Sequence, residues 1–298
     1  MSRVAVIGNV SLDILFEVPR LPRDHEKLVA EDMRIAGGGA PANVAHWLAR
    51  LGHRVDIHSV TGTDPLSEAA VQSLEQSGID TRGIRRVAGV APSISVILTG
   101  GKLKSMISSR RLRDPAPWAA LVGDCDLSGY DHVHMLAALF PLLFAGGRRA
   151  DLAGCTVSTD LNGSYDAGLV AALDHVFSNA DELAACTGRE DIDALVGAEI
   201  AGRPHHLVVT QAGTRVSCYR DGGRCDVVPG PVAVVDRTGG GDAFGAGYLH
   251  AIWAGATEEQ ALRAGLRLAG AVIGALGARP EGTAIDGALA ELCGRWPA

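Results

Sequence analysis

The chain has 298 residues, 47% of them hydrophobic and 20% charged, which suits one large α/β domain with an ample core. Its formal net charge of −7, without a basic stripe, argues against nucleic acid as a partner. Six cysteines without a CxxC pair, and no apolar run long enough to span a bilayer, predict a cytoplasmic protein with no membrane contact.

The N-terminal segment predicts a buried strand with polar residues at its end. Residues 4–10 form an apolar run with Gly8 and Asn9 near its end, as expected of a parallel strand covered on both faces. Asp13 comes shortly after it. Ligands gather at the carboxyl ends of strands in open α/β sheets, so Asp13 stands where a polar ligand contact is expected. An ordinary turn residue is the alternative.

Two segments have a β pattern outside the regular α/β alternation. Residues 14–35 alternate loosely between apolar and polar, and residues 93–108 resemble a hairpin that turns at Gly100 and Gly101. Two such excursions can combine into one small sheet, and we predict that this sheet is a lid over the site. The predicted division is an α/β catalytic domain (1–12, 37–90 and 110–298) and a β lid (13–36 and 91–109).

A first glycine turn opens a helix. Gly37, Gly38 and Gly39 precede residues 41–51, whose apolar side chains recur at helical spacing. Asn43 lies in the first turn of this predicted helix and faces back towards the glycines. A polar side chain at such a turn is a candidate ligand contact.

A second glycine turn has the strongest chemical signal in the chain. Gly239, Gly240 and Gly241 are followed at once by Asp242 and then by an apolar run. The free N–H groups at a helix start make a site for anions, above all phosphate. A carboxylate there is explained if it takes a proton from a hydroxyl that attacks a phosphoryl group. The alternative is that Asp242 only caps the helix.

The rest of the chain alternates between strands and helices, which predicts a mostly parallel sheet with helices on both faces. The predicted strands are 55–60, 132–139, 156–159, 176–177, 206–210, 216–219 and 227–228. The predicted helices are 66–78, 181–187, 243–254, 258–275 and 284–294.

Three motifs together resemble the ribokinase-like (PfkB) family of carbohydrate and nucleoside kinases. GGGAPANVAHWLARLG at 37–52 is similar to the first family signature, and DRTGGGDAFGAG at 236–247 is similar to the second. Between them, SNADELAACTG at 178–188 matches the family's N-x-x-E element. The resemblance covers essentially the whole chain in order and implies a ribokinase-like fold with a β lid.

The resemblance also implies roles for individual residues. At the position of Asp242 the family has a general base, and the N–H groups at Gly239, Gly240 and Gly241 form an anion hole for the transferred phosphate. The implied substrate-binding positions are Ser11, Asp13, Gly38, Gly39 and Asn43. The implied ATP-binding positions are Asn179, Thr210, Gln211, Gly213 and Gly241.

The family further implies two cations and an assembly. Glu182 matches a position that organises Mg²⁺ through water, which suits an ion that keeps part of its hydration shell. Many members bind K⁺ beside the anion hole, where Asp236, Thr238 and Gly277 match. Family members often pair through the lid, so a homodimer is implied as well.

Departures from the family pattern leave the acceptor open. Arg237 replaces a threonine or proline, where it could perturb the monovalent cation site or touch phosphate, and Ala40 stands where ribokinase has lysine. We predict ATP-dependent phosphorylation of a primary hydroxyl on a small sugar or sugar-like substrate. A nucleoside kinase of the same family is one alternative, disfavoured by the 4% aromatic content. A non-catalytic relative that binds sugar or nucleotide is the other, disfavoured by the presence of Asp242.

Overall fold

The computed structural model describes residues 1–100, 103–109, 114–145, 152, 154–189, 191–199 and 206–296. Its strands, in chain order, are β1 (Arg3–Ile7), β2 (Ser11–Glu17), β3 (Asp32–Gly38), β4 (Arg54–Thr61), β5 (Asp80–Arg86), β6 (Ile94–Gly100), β7 (Leu103–Ser108), β8 (His132–Met135), β9 (Thr156–Asp160), β10 (His175–Asn179), β11 (His206–Gln211), β12 (Arg215–Arg220) and β13 (Gly223–Val227).

The helices alternate with the strands along most of the chain. They are α1 (Ala40–Arg50), α2 (Pro65–Glu75), α3 (Ala116–Asp124), α4 (Phe140–Ala145), α5 (Ala167–Val170), α6 (Ala180–Thr187), α7 (Ile192–Glu199), α8 (Gly240–Trp253), α9 (Glu258–Ile273) and α10 (Thr283–Arg295). Within the described ranges, none of them is long and apolar enough to cross a membrane.

The strands form two separate sheets, as predicted. The larger has nine strands in the order β13-β12-β11-β10-β9-β8-β1-β4-β5. All its pairs are parallel except those that β12 makes with β11 and β13. Alternate residues of β1 belong to two different apolar cores, with Val4 and Val6 in one and Ala5 and Ile7 in the other. The large sheet is therefore covered on both faces.

The small sheet has four strands in the order β3-β2-β6-β7 and combines the two predicted β excursions. Its strands β2 and β3 begin and end outside the predicted lid segment 13–36, since they span Ser11–Glu17 and Asp32–Gly38. Part of the predicted turn of the 93–108 hairpin, Gly101, lies outside the described residues. The division into two domains stays a prediction.

The structure corrects several predicted elements. The first strand ends at Ile7 rather than at residue 10, so Asp13 lies inside β2 instead of in a turn. The strand predicted at 132–139 ends at Met135, and Pro141 falls in the first turn of α4. Proline cannot donate a hydrogen bond to a sheet but fits the start of a helix.

Strand β5 and the helices α3, α4, α5 and α7 were not predicted. The sequence of β5, DTRGIRR, is mostly polar and has three arginines, and β5 is an edge strand of the large sheet. It therefore lacks the continuous apolar run of a central strand. The four helices are short, at nine, six, four and eight residues, so too few turns fall in any window to reveal a period.

Candidate active site

A polar cavity of about 290 Å³ lies between the carboxyl ends of the large-sheet strands and the small sheet. Asp160, Asn179 and Thr210, at or near the ends of β9, β10 and β11, reach it from the large sheet. Of the residues predicted for the site, it is lined by Ser11, Asp13, Gly39, Asn43, Asn179, Glu182, Thr210, Thr238, Gly239, Gly241 and Asp242. The remaining predicted residues, Gly38, Gln211, Gly213, Asp236, Gly240 and Gly277, are not part of its lining.

The small sheet contributes polar side chains that the sequence did not single out. Ser95 pairs with Asp13 across β2 and β6 and with Ser108 across β6 and β7, so the three side chains share one face. All three line the cavity, and the hydroxyl oxygens of Ser95 and Ser108 lie 3.0 Å apart. One face of the small sheet thus presents hydroxyl and carboxylate groups to the cavity.

The glycines at 239–241 start α8 in a conformation that requires glycine. Gly239 is left-handed, with φ of 73°, and a Cβ there would lie 2.6 Å from the Cβ of Ala278. A Cβ on Gly240 would lie 2.7 Å from Ile273. The turn therefore packs directly on the end of α9 and the segment after it, and the start of α8 faces the cavity with only small residues before Asp242.

Asp13 is held against the other glycine turn. A Cβ on Gly38 would lie 2.3 to 2.5 Å from the carboxylate atoms of Asp13, so only glycine lets this side chain occupy its place. Gly39 has φ of 93°, and a Cβ there would lie 2.5 Å from the backbone oxygen of Asn9. Asp13 is 6% exposed. Each glycine of this turn therefore makes room for a different neighbour.

Asn43 links Asp242 to an arginine that the sequence did not reveal. The Asn43 amide nitrogen donates to Asp242 Oδ2 over 2.7 Å, although the two residues are 199 positions apart. Arg279 Nε donates to the Asn43 amide oxygen over 2.8 Å. Burial lowers the pKa of Arg279 to about 10 against the opposing effect of Asp13 and Asp242, so its guanidinium stays charged at neutral pH.

The N-x-x-E element forms the start of α6. Asn179 is the N-cap of this helix, and its side-chain oxygen accepts a hydrogen bond from the backbone N–H of Glu182 over 2.8 Å. Both residues line the cavity. The motif therefore has a structural role, because Asn179 holds the backbone of Glu182 at the start of α6.

The segment after β11 is a tight hairpin into β12. Thr210 is paired with Asn179 across β10 and β11 and lines the cavity. The turn that follows uses left-handed Gly213, with φ of 81°, and the Thr214 N–H donates to the Gln211 carbonyl over 2.7 Å. Gln211 and Gly213 lie outside the cavity lining.

Asp236 joins the segment before the second glycine turn to the segment after α9. Its Oδ1 accepts from the Thr238 N–H at 3.0 Å and from the Thr238 hydroxyl at 2.7 Å. Its Oδ2 accepts from the Gly277 N–H at 3.0 Å. The three residues predicted for a K⁺ site therefore lie together around a carboxylate that is 2% exposed. Arg237, which follows, is exposed and lines the cavity.

The comparison with known families identifies the chain as a phosphotransferase of the ribokinase type. The model of the pfkB family of carbohydrate kinases matches residues 1–283, and this chain belongs to that family. The predictions of family, of fold class and of a kinase are thereby confirmed.

Two curated relatives are each 30% identical to this chain. The ATP-dependent ribose-1-phosphate kinase of Halopiger xanaduensis aligns over 95% of this chain and 96% of its own length. The acarbose 7(IV)-phosphotransferase of an Actinoplanes species aligns over 88% and 89%. The ribokinase of Arabidopsis thaliana, solved with ribose and ATP, superposes with a TM-score of 0.76 at 20% identity, over 97% of this chain and 98% of that one.

Proposed function

We propose that this protein transfers the terminal phosphoryl group of ATP to a primary hydroxyl of a small sugar or sugar-like acceptor. One observation carries the proposal: Asp242 stands in the first turn of α8, directly after a glycine turn, and lines the same cavity as Asp13 and Asn43. The residues that we propose as base, anion site and hydroxyl-binding groups thus line one cavity. The ATP-dependent activity named for the Halopiger relative supports the nucleotide assignment.

In the proposed reaction Asp242 takes the proton of the acceptor hydroxyl. The hydroxyl oxygen forms a bond to the γ-phosphorus, and the bond from that phosphorus to the β–γ bridging oxygen breaks, which releases ADP. Backbone N–H groups of Gly239 and Gly241, which line the cavity at the positive end of the α8 dipole, would hold the transferred phosphoryl oxygens. The Gly240 N–H donates to the Arg237 carbonyl over 3.3 Å and would have to leave that bond to join them. Arg237 lines the cavity beside them and would add positive charge.

The acceptor would be held by the groups at the small-sheet end. Asp13 and Asn43 would bind hydroxyls, with Ser11 and the backbone of Gly39 beside them in the lining. Gly38 would contribute from behind the lining, by making room for Asp13. The small sheet would act as a lid that excludes water during transfer. The relatives named above include a ribose-1-phosphate kinase and an acarbose phosphotransferase, so the acceptor class has to be measured.

The donor set fits a magnesium ion held mainly by ATP. Glu182 lines the cavity, but among the described residues there is no group of three or more acidic, histidine or cysteine side chains that could hold a metal by itself. Mg²⁺ commonly takes one or two carboxylates and completes its shell with water and phosphates. When bound, it would neutralise phosphate charge, with Asn179 and Glu182 positioning it through water.

A monovalent cation beside Asp236 stays a prediction. The carboxylate already accepts three hydrogen bonds, from Thr238 and Gly277, and a carboxylate has about four lone-pair sites. A K⁺ ion would therefore have to share the oxygens of Asp236 and draw its other ligands from backbone carbonyls. Activity compared in K⁺ and Na⁺ tests this assignment.

The expected cytoplasmic location also stays a prediction.

We also propose a homodimer through the small sheet. Ile35, Ile14, Val96 and Ile107 are paired in one row across its four strands, on the face opposite to the row of Asp13. Ile107 is 75% exposed and Ile35 is 56% exposed. Apolar side chains in a continuous row on an open face favour burial against a second copy.

The function is tested by an ATP-consumption assay over sugars, sugar phosphates, polyols and nucleosides, with the product identified by mass spectrometry. We expect one acceptor class to stand out, and Asp242→Asn to lower its kcat about 10²- to 10⁴-fold, the usual contribution of a general base. Nucleotide binding should persist in this variant. Asp286→Asn is the matched control, because Asp286 lies in the first turn of α10 and is 65% exposed in its side chain.

Two results would contradict the proposal. One is full turnover by Asp242→Asn. The other is ATP binding without phosphorylation of any acceptor, which would favour a non-catalytic binding protein. A nucleoside as the best acceptor would replace the sugar assignment and leave the mechanism unchanged.

A further inference from the structure

Arg279 lies outside the three sequence motifs, yet its guanidinium contacts three separate elements behind the cavity. It follows α9 in the chain, in the segment that leads to α10. Nε donates to the Asn43 amide oxygen at 2.8 Å, Nη2 donates to the Gly38 carbonyl at 3.0 Å, and Nη1 lies 3.4 Å from the Ser73 hydroxyl oxygen. Helix α1, the end of β3 and helix α2 are therefore joined by one side chain.

The glycine at position 37 makes this placement possible. A Cβ on Gly37 would lie 2.5 Å from Arg279 Nη1 and 2.5 Å from the Ser73 hydroxyl oxygen. The run of three glycines in the first turn is thus explained residue by residue. Gly37 makes room for Arg279, Gly38 makes room for Asp13, and Gly39 adopts a left-handed conformation next to Asn9.

The contacts of Arg279 determine which way the Asn43 amide faces. A guanidinium can only donate hydrogen bonds, so the side of the amide that meets Nε must be its oxygen. The NH₂ group of Asn43 is then turned towards Asp242, whose carboxylate accepts from it at 2.7 Å. In the opposite orientation, both contacts would place like groups together. Arg279 therefore fixes the Asn43 amide in the orientation that holds the base.

Arg279 is also a fixed cation near two carboxylates. Asp13 and Asp242 both favour its charged form, against the cost of its burial. The same interaction, taken from the side of the acid, favours the charged form of Asp242. A general base has to be deprotonated before it can accept the proton of a hydroxyl.

We infer that Arg279 is a positioning residue for phosphoryl transfer: through Asn43 it orients the Asp242 carboxylate, and through its charge it keeps that carboxylate ready to accept a proton. The inference rests on the proposed role of Asp242 as the base. Arg279 is not part of the cavity lining, so it acts through Asn43 rather than on the acceptor.

The other charged groups around the base are constant in the test. The cavity that Asp242 lines is also lined by Asp13, Asp160, Glu182 and Arg237. Replacing Arg279 leaves these four side chains unchanged. A difference in the Asp242 titration or in kcat between the variant and the unchanged protein therefore reports the loss of the Arg279 charge and of its hydrogen bonds.

The experiment compares Arg279→Met, Arg279→Lys and the unchanged protein by two readouts. The first is the titration of the Asp242 carboxyl carbon by ¹³C NMR, with the signal assigned through Asp242→Asn. The second is kcat and acceptor KM as a function of pH. Arg263→Met is the matched control, because Arg263 lies on α9 and pairs only with Glu259 at the surface in the described structure. Thermal unfolding establishes that each variant is folded.

In Arg279→Met we expect the Asp242 midpoint to rise, because the variant removes a cation that interacts favourably with the charged carboxylate. The acid limb of kcat should move in the same direction, and kcat at its plateau should fall about 10²-fold because the base is no longer oriented. Arg279→Lys should keep a midpoint near that of the unchanged protein while kcat still falls, since lysine retains the charge but not the fork of donors. The Arg263→Met protein should match the unchanged protein in both readouts.

An unchanged Asp242 midpoint and an unchanged kcat in folded Arg279→Met would overturn the inference. If Arg279→Met and Arg279→Lys lost only thermal stability, Arg279 would be a structural residue. The titration needs no acceptor, so it decides the role of Arg279 even if no acceptor is phosphorylated. That last result would count against the proposed function alone.

Discussion

Single residues decide the shape of the end of the cavity that we propose for the acceptor, and Gly38 is the clearest case. In Gly38→Ala the new methyl group would overlap the Asp13 carboxylate, which would have to move. We expect acceptor KM to rise at least about 10-fold while ATP KM stays unchanged, since a displacement of about 1 Å at a positioning group is costly. Steady-state kinetics with each substrate varied in turn measures the two effects separately.

The control for this glycine is Gly287 in α10. A Cβ on Gly287 would meet nothing within 4 Å, and alanine is the better helix former by about 1 kcal/mol. Gly287→Ala should therefore keep both KM values and raise the melting temperature. If Gly38→Ala kept its acceptor KM as well, Asp13 would not be a substrate ligand.

The sequence predicted those residues of the candidate site whose local pattern carries the chemistry. Asp242 and Asn43 each follow a run of glycines at a helix start, so the local sequence pattern predicts both of them. Arg279 follows a glycine and an alanine and precedes a proline, and this context is typical of a surface arginine in a turn. Its contact with Asn43 spans 236 positions, and no local pattern encodes such a distance.

At the scale of the element, helix α8 packs over a group of buried histidines. His250, on α8, lies 2.9 Å from the ring of His53, and Tyr248 on the same helix lies 2.6 Å from the ring of His206. Burial lowers the pKa of His53 to about 4 and that of His175 to about 3. The large sheet and the helix that carries Asp242 therefore meet through neutral imidazoles.

These buried histidines predict that the free energy of unfolding falls in mild acid. Unfolded histidines titrate near pH 6.5, whereas His53, His134 and His175 stay neutral in the fold until about pH 3 to 4. Below pH 6.5 the unfolded state binds more protons, so stability is complete above that pH and falls as the pH is lowered. Each such histidine contributes a slope of up to about 1.4 kcal/mol per pH unit. Urea unfolding from pH 8 to pH 5 measures the loss.

His175→Phe should make that pH dependence shallower. Its Nδ1 has no hydrogen-bond partner in the described structure, and its ring packs on that of His206 at 4.9 Å, a contact that phenylalanine can keep. The control is His25→Asn, because His25 is exposed and has φ of 60°, which asparagine tolerates. An identical slope in His175→Phe and in the unchanged protein would show that the buried histidines do not govern acid stability.

Elements were predicted well where sequence and burial agree. Helices α1, α6 and α8 begin at capping or glycine residues, and their apolar positions recur as a helix requires. Strand β5 was missed because it lies at the edge of the large sheet and exposes part of its arginine-rich sequence. The extension of the first strand to residue 10 was wrong because Gly8 abuts Pro41, where the chain leaves one sheet for the other.

At the scale of the whole molecule, the row of apolar side chains on the small sheet predicts the oligomeric state. Light scattering after size exclusion should give twice the chain mass of 30.9 kDa. Ile35→Lys should yield monomers, because a charge would be buried in the proposed interface. Val29→Lys is the control, since Val29 is 85% exposed and lies between β2 and β3 rather than in the sheet. A monomeric unchanged protein at assay concentration would refute the dimer.

The small sheet is assembled from two parts of the chain, since β2 pairs with β6 while β4, α2 and β5 lie between them in the sequence. Contacts between distant positions are slow to form, because the intervening chain has to be closed into a loop first. The pairing of Asp13 with Ser95 should therefore come late during folding. A newly made chain would form the local pairs β2–β3 and β6–β7 first, and the cavity wall that carries Asp13 and Ser95 would exist only once these two halves have joined through β2 and β6.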